Sequence, residues 1–437
     1  MTIKRAKGMS MVESVEIAVV GAGFAGLRAA RDLSADGRSV VLLEAAGRVG
    51  GRAYSRESMT DPGTTVEVGG AYFHRHHHTR LAAEVDRYKI DTQPAAPFKV
   101  FRNRLAPGDH NAAFPIPPEE FLEAERILFC LIRDARRIDP HAGLENQNLE
   151  DLDISAHDYL TALNPPPVTS QLLRSWIWNM MGQRVEDASA LWVLQLIASH
   201  DYSVLGVLLS LDEVMASGTG TLTTAMANEV SDLRLGEAVH SIRQQTDWVD
   251  VTYGTERALR AEHVVVAAPL NCMRELRFEP PLSGPRAEVV AEGHGGRGLK
   301  LLIHVRGVPE GISCTGDGVF PTLYDYLPAS DGGRILVGFT DRDSFDPADS
   351  GAIEAAVHHY LPDAVVVGTD YHDWCADPFV RAPWVSPRIG QATRAHKSLG
   401  EPHGRVHFAG SDVSLLFPGY IEGALETADR VRSEILG

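Results

Sequence analysis

The ordered part of the chain opens on a short β-branched apolar run, Val15-Glu-Ile-Ala-Val-Val20. A glycine turn follows, Gly21-Ala-Gly-Phe-Ala-Gly26. Apolar residues at helical spacing then cover Leu27–Ser34, and a second apolar run covers Ser39–Glu44. Strand, glycine turn, helix and strand make a βαβ unit. The middle reads differently. Residues 118–137 and 172–181 have helical patterning, and 188–199 carries Leu191, Trp192, Leu194 and Ile197 on a helical period, with loops such as Asn164-Pro-Pro-Pro167 between them. Strand character returns at Val249–Tyr253, His263–Ala268 and Leu299–Val305, and Tyr420–Leu436 reads as a closing helix. Two interleaved domains explain this order better than two successive ones.

Length and composition narrow the picture. A chain of 437 residues exceeds what one core usually serves, which also points to two domains. The formal net charge of −17 repels phosphate backbones and anionic membrane surfaces, so no nucleic-acid and no membrane partner is expected. Four cysteines lie far apart with no CxxC pair, which argues against a disulfide framework or zinc site and suits a reducing cytoplasm. No apolar run reaches the ~18 residues of a membrane helix. The basic start has no following signal core. Residues 1–12 read as a loose tail, with Met9 or Met11 an alternative start.

Gly21, Gly23 and Gly26 match GxGxxG. The first permits the tight turn, the second lets backbone approach a pyrophosphate, and the third lets helix and strand pack closely. Glu44 ends the second strand about eighteen residues beyond Gly26, where a carboxylate accepts from ribose hydroxyls and repels a 2′-phosphate. Just beyond lies Gly47-Arg-Val-Gly-Gly-Arg52. Gly51 and its neighbour let backbone amides face a phosphate, and Arg52 offers it a forked cation, unless the turn is merely a solvated surface loop. Further on come Val66-Glu-Val-Gly-Gly-Ala-Tyr72 and, near the end, Arg405-Val-His-Phe-Ala-Gly-Ser-Asp412 followed by Phe417-Pro-Gly-Tyr-Ile-Glu-Gly-Ala424. A strand running into small residues, an acid and a helix start suits a second cofactor contact. The acid can hold a ribityl hydroxyl, and the helix start stabilises negative charge.

Together these motifs resemble the flavin monoamine oxidase family, over about Ile17 to Leu436. The resemblance implies an α/β (α+β two-domain) fold of the amine oxidase/glutathione reductase type. Its parts would be a Rossmann-like FAD-binding domain of residues 13–98, 222–285 and 395–437, and an interleaved substrate domain of mixed sheet and helices over 99–221 and 286–394. FAD would be contacted by Gly21, Gly23, Gly26, Glu44, Gly51, Arg52, Gly70, Ala71, Tyr72, Val239, Trp374, Gly410, Ser411, Asp412 and Ile421. Some family members attach flavin through a cysteine just before the first aromatic wall. Here that place is Pro383, so the FAD is expected to be non-covalent.

Lys300 sits in Gly298-Leu-Lys-Leu-Leu-Ile-His304. On a strand, Leu299, Leu301 and Ile303 face one way and Lys300, Leu302 and His304 the other. By itself such a lysine either snorkels at an edge or points into a cavity. In the family a lysine in this context bridges through water to flavin N5, and two aromatics placed as Trp384 and Tyr420 wall the substrate face. Their alternative is ordinary packing. The implied reaction is hydride transfer from the carbon beside an amine nitrogen, with O2 reduced to H2O2. Flavin carries the hard step, while protein supplies orientation and dryness. The segments Val66–His78, Trp176–Gly182, Ser203–Val214, Glu292–Lys300, Phe320–Tyr326 and Tyr371–Trp374 resemble the 6-hydroxynicotine-oxidising branch of the family. That implies attack on the pyrrolidine ring of (S)-6-hydroxynicotine, with Asn179 and Tyr324 as polar contacts. The same chemistry on nicotine, pseudooxynicotine or a polyamine is the alternative, then a flavin dehydrogenase with another acceptor, then a bare FAD-binding module. A homodimer is in keeping with the family.

The run His74, His76, His77 and His78 is read as solvated or dimer-edge and not as a metal site. Only His74 and His78 would share a helix face, and no acid partner is obvious. Glu67 is expected to be structural.

Overall fold

A computed structural model describes residues 12–210, 212–343 and 345–437. The expected loose tail lies outside the described residues except for Val12. The first sheet runs in the order Leu233–Leu235, Val40–Glu44, Glu13–Val20, Arg257–Val266, Val249–Tyr253, Val239–Gln244, Arg277–Glu279. Strand Arg257–Val266 pairs parallel with Glu13–Val20 from Leu259 to Val266 on one side; on the other, its first half pairs antiparallel with Val249–Tyr253 and its end parallel with Val406–Phe408. Both faces of the central strands are apolar. Ile17, Val19 and Leu42 pack under helices Phe24–Ala35 and Ile421–Leu436, while Ala18, Val20, Val41 and Leu43 enter the opposite core. That is why the runs read as continuous apolar stretches without alternation.

The second sheet has the order Val365–Tyr371, Gly298–Arg306, Arg334–Asp341, Thr322–Pro328, Ile312–Gly316, Val100–Leu105, Gly108–Asp109. The alternation expected around Lys300 is present. Leu299, Leu301 and Ile303 share a core with Ile353 and Val357 of helix Ser350–His358, and Leu302 lies on the other face with Val66 and Val68. A helical layer, Phe121–Ala135, Ala156–Leu163, Pro167–Met181 and Ala190–Ser199, builds a further core.

The helix expected from Leu172 begins five residues earlier. Pro167, read as loop, is its first residue, a position where a missing N–H costs nothing. Its cap comes from elsewhere: the Glu120 carboxylate accepts from the amides of Val168 and Thr169 at 3.1 and 2.8 Å. Gly182, at φ 57°, closes this helix in the left-handed conformation and so sets Asn179 one turn before its end.

Candidate active site

A cavity of about 750 Å³ runs between the first sheet, the second sheet and the helical layer. Its deep end is made of backbone. Gly21 has φ +100°, and a Cβ on Gly26 would stand 1.8 Å from the Gly21 carbonyl oxygen. Gly26 therefore acts behind the wall, by letting helix and strand touch, whereas Gly21, Gly23 and Gly51 line the cavity. Helix Phe24–Ala35 starts at Gly23 and helix Ile421–Leu436 starts at Tyr420, and neither start carries a side-chain cap. Both open onto the cavity, so two sets of free N–H groups are available to an anionic ligand. Glu44 lines the same end. Its carboxylate accepts from the amides of Ala22 at 2.5 Å and Ala46 at 2.8 Å, and burial raises its pKa against those two bonds and Arg48. Two uncapped helix starts, a side-chain-free turn and a buried acid suit a dinucleotide with two phosphates and a ribose.

Arg52 lines the cavity and has three partners within the protein. It donates to Asp412 Oδ1 at 2.6 Å, Ser411 Oγ at 3.1 Å and the Pro383 carbonyl at 2.9 Å. Asp412 lies behind the cavity wall and also accepts from the Leu270 amide at 2.9 Å. Burial pushes its carboxyl up, but Arg52, His294 and that amide outweigh it and hold it below the usual range. The pair thus fastens the closing segment to the glycine turn. Arg48 also lines the cavity, with its guanidinium 3.8 Å over the Tyr54 ring. Gly70, Ala71, Tyr72, Val239, Trp374, Gly410, Ser411 and Ile421 are all in the wall. The tightest glycine in the wall is Gly69, which the sequence did not single out: a Cβ there would stand 2.0 Å from the Arg52 carbonyl and 3.2 Å from the Trp374 ring.

Lys300 is buried in the cavity wall and does not snorkel. Its Nζ donates to the carbonyls of Glu67 at 2.7 Å and Gly69 at 3.1 Å, which leaves one N–H bond uncommitted. Burial lowers its pKa to about 8, partly opposed by Glu67. The Glu67 carboxylate is structural, as expected, accepting from Ser55 Oγ and from Thr219 through both amide and hydroxyl. Phe339 pairs directly across from Lys300 and meets the Trp384 ring edge-on at 6.0 Å.

Trp384 and Tyr420 come to the same cavity from separate segments. Trp384 Nε1 donates to the Met180 carbonyl at 2.7 Å, and its ring lies against Gly182 and Gly298. A Cβ on Gly298 would approach that ring to 2.8 Å. Gly298→Ala should therefore displace the ring and raise KM about tenfold or more, while flavin absorbance is retained; steady-state kinetics and a visible spectrum check both. Burial raises the Tyr420 hydroxyl to about 12, so the ring is a neutral wall. Behind it stand His78 and His200, with ring centroids 5.3 and 5.7 Å away, both held neutral by burial at about 3 and about 4. Neither was singled out as a support for Tyr420.

At the far end, Asn179 and Tyr324 line the wall together. The Thr322 hydroxyl donates to Asn179 Oδ1 at 3.0 Å, and the amide nitrogen has no protein partner among the described residues. The Tyr324 hydroxyl lies beside Tyr72; burial raises it to about 12, partly opposed by Tyr72. The histidine run differs from expectation in two ways. It is a turn and not a helix, and the fold supplies the acids: Asp201 beside His76 and His77, and Asp212 beside His74.

Residues 24–436 match the family described as flavin containing amine oxidoreductase. The chain is 56% identical over 418 residues to (S)-6-hydroxynicotine oxidase of Paenarthrobacter nicotinovorans, covering 96% of this chain and 98% of that protein. It is 29% identical to pseudooxynicotine dehydrogenase of a Pseudomonas species, covering 95% and 85%. Among solved structures, cyclohexylamine oxidase from Brevibacterium oxydans superposes with a TM-score of 0.86 at 22% identity, covering 96% and 98%, and so shares the fold. With a dinucleotide cradle opening onto an aromatic-walled slot, and a family match across nearly its whole length, the chain belongs to the flavin-containing amine oxidoreductases and uses FAD.

Proposed function

We propose that this chain oxidises the pyrrolidine ring of (S)-6-hydroxynicotine, giving a cyclic imine or iminium that opens with water to 6-hydroxypseudooxynicotine, with O2 as electron acceptor. The observation that carries the reading is the near full-length, 56% identity to the P. nicotinovorans enzyme of that name. FAD, when bound, supplies the hydride acceptor and passes the electrons to oxygen. Gly21, Gly23, Glu44 and Gly51 would hold its dinucleotide part, with the closing segment Gly410–Ile421 at the other end. Residues 13–98, 222–285 and 395–437 are taken as the FAD-binding domain, and 99–221 and 286–394 as the substrate domain.

The protein's own contribution is placement. Trp384 and Tyr420 confine the amine and exclude water, so its lone pair meets aromatic faces. Asn179 and Tyr324 each bring a hydrogen-bonding group to the hydroxypyridine end. Lys300 keeps one N–H bond for the reacting region while two carbonyls fix its position. Pro383 stands where a cysteine would be needed for covalent attachment, which supports non-covalent FAD. Two relatives named as dehydrogenases, at 29% and 27% identity, keep a non-oxygen acceptor as the second reading.

Peroxide release under air, with a panel of 6-hydroxynicotine enantiomers, nicotine, pseudooxynicotine and putrescine, tests the reading. It expects peroxide with (S)-6-hydroxynicotine above the others. Rapid bleaching with slow reoxidation in air would favour the dehydrogenase. Tyr324→Phe and Asn179→Ala should each lower kcat/KM about 10- to 100-fold for the hydroxylated substrate, and far less for nicotine, because a lost hydrogen bond matters only where its partner exists.

A further inference from the structure

The turn His74–His78 meets the end of helix Ala190–Ser199 at the surface, outside the cavity. His76 Nε2 lies 3.8 Å and His77 Nδ1 3.7 Å from the same oxygen, Asp201 Oδ2. One donor atom from each of the three residues falls within 4.8 Å of the others. These separations are too long for N–H···O hydrogen bonds, so the two imidazoles approach one carboxylate oxygen without bonding to it. Ligand atoms bound at about 2.0–2.2 Å around a tetrahedral ion stand roughly 3.3–3.6 Å apart, so the two nitrogen–oxygen separations need close by only a few tenths of an ångström, and the nitrogen–nitrogen separation by at most about 1.5 Å. We propose that His76, His77 and Asp201 form a site for a divalent transition-metal ion of the zinc type.

The donor set and its setting support this. Two imidazole nitrogens and one carboxylate oxygen suit zinc, nickel or copper and not the oxygen-preferring magnesium or calcium. The side chains of His76 and Asp201 are 75% and 77% exposed, so an ion can reach them, and the fourth position is left to water. His77 is half-buried. The turn is held internally: the His76 amide donates to His74 Nδ1 at 3.2 Å, the His74 amide to His78 Nδ1 at 3.1 Å, and the His78 amide to the His74 carbonyl at 2.8 Å. On the other side, His200 Nδ1 is fixed by the Leu196 carbonyl at 2.8 Å. A bound ion would tie these two segments together beside the rings that back Tyr420.

The test is a zinc titration of the tag-free, FAD-loaded enzyme against a chromogenic chelator, repeated on His76→Ala, Asp201→Ala and the double variant. The expected result is one zinc per chain in the wild type, at least about tenfold weaker binding in each single variant, and a zinc-induced rise in Tm that the double variant lacks. Cobalt should give ligand-field bands in the wild type alone. No zinc bound by the wild type at about 100 µM free metal, or equal affinity in wild type and double variant, would overturn the site. Both substituted side chains are on the surface, so the variants remain foldable and the comparison stays decisive.

Discussion

Replacing Lys300 by methionine should slow flavin reduction, reoxidation, or both, by about a hundredfold while FAD stays bound. The side chain is buried, its ammonium is held by the carbonyls of Glu67 and Gly69, and methionine keeps the length while removing charge and donors. The pH dependence gives the prediction a second arm. With a pKa of about 8, Lys300 is cationic below that pH and loses its proton above it. Any step that uses the cation should therefore fall as pH rises through about 8, and that inflection should be missing from Lys300→Met. Anaerobic stopped-flow reduction and air reoxidation, each followed from pH 6.5 to 9.5, separate the two steps. Wild-type rates in both for the variant would remove this lysine from the chemistry.

Gly26→Ala should leave the purified protein colourless. An alanine Cβ would stand 1.8 Å from the Gly21 carbonyl oxygen, 3.0 Å from its carbon and 3.4 Å from the Ala267 side chain. Nothing flexible is in the way to yield, so strand and helix must move apart at the turn. Overpacking of this kind costs about 1–3 kcal/mol of stability. The larger effect is on the cofactor, since the same movement displaces the backbone donors of the helix start, and FAD affinity should fall on the order of a hundredfold or more. Visible absorbance after gel filtration and the Tm measured with and without added FAD would show it. A yellow variant of unchanged Tm would contradict this account of the turn.

What could be read in the residues was local. The βαβ unit, the glycine spacing and the inside–outside alternation around Lys300 follow from periods of two and 3.6 residues. What could not be read was who meets whom across the fold. Arg52 was assigned a phosphate because a guanidinium beside two glycines suits one; only the three-dimensional arrangement brings Asp412 to it. Phe339 faces Lys300 through a strand register that no spacing encodes. His78 and His200 sit far apart in sequence, and their packing behind Tyr420 depends on the turn being a turn. For the same reason the histidine run seemed to lack an acid: Asp201 arrives from the turn after helix Ala190–Ser199, with its backbone at φ 57°.

The cradle draws on both extremes of the described chain. Strand Glu13–Val20 and strand Val406–Phe408 flank Arg257–Val266, and the clasp between Arg52 and Asp412 joins residues 360 positions apart. During synthesis the glycine turn is thus made some 360 residues before the segment that shuts over it. Capture of the yellow cofactor must therefore wait for that closing segment, which makes flavin supply late in synthesis, and not early in it, the condition for high-yield expression.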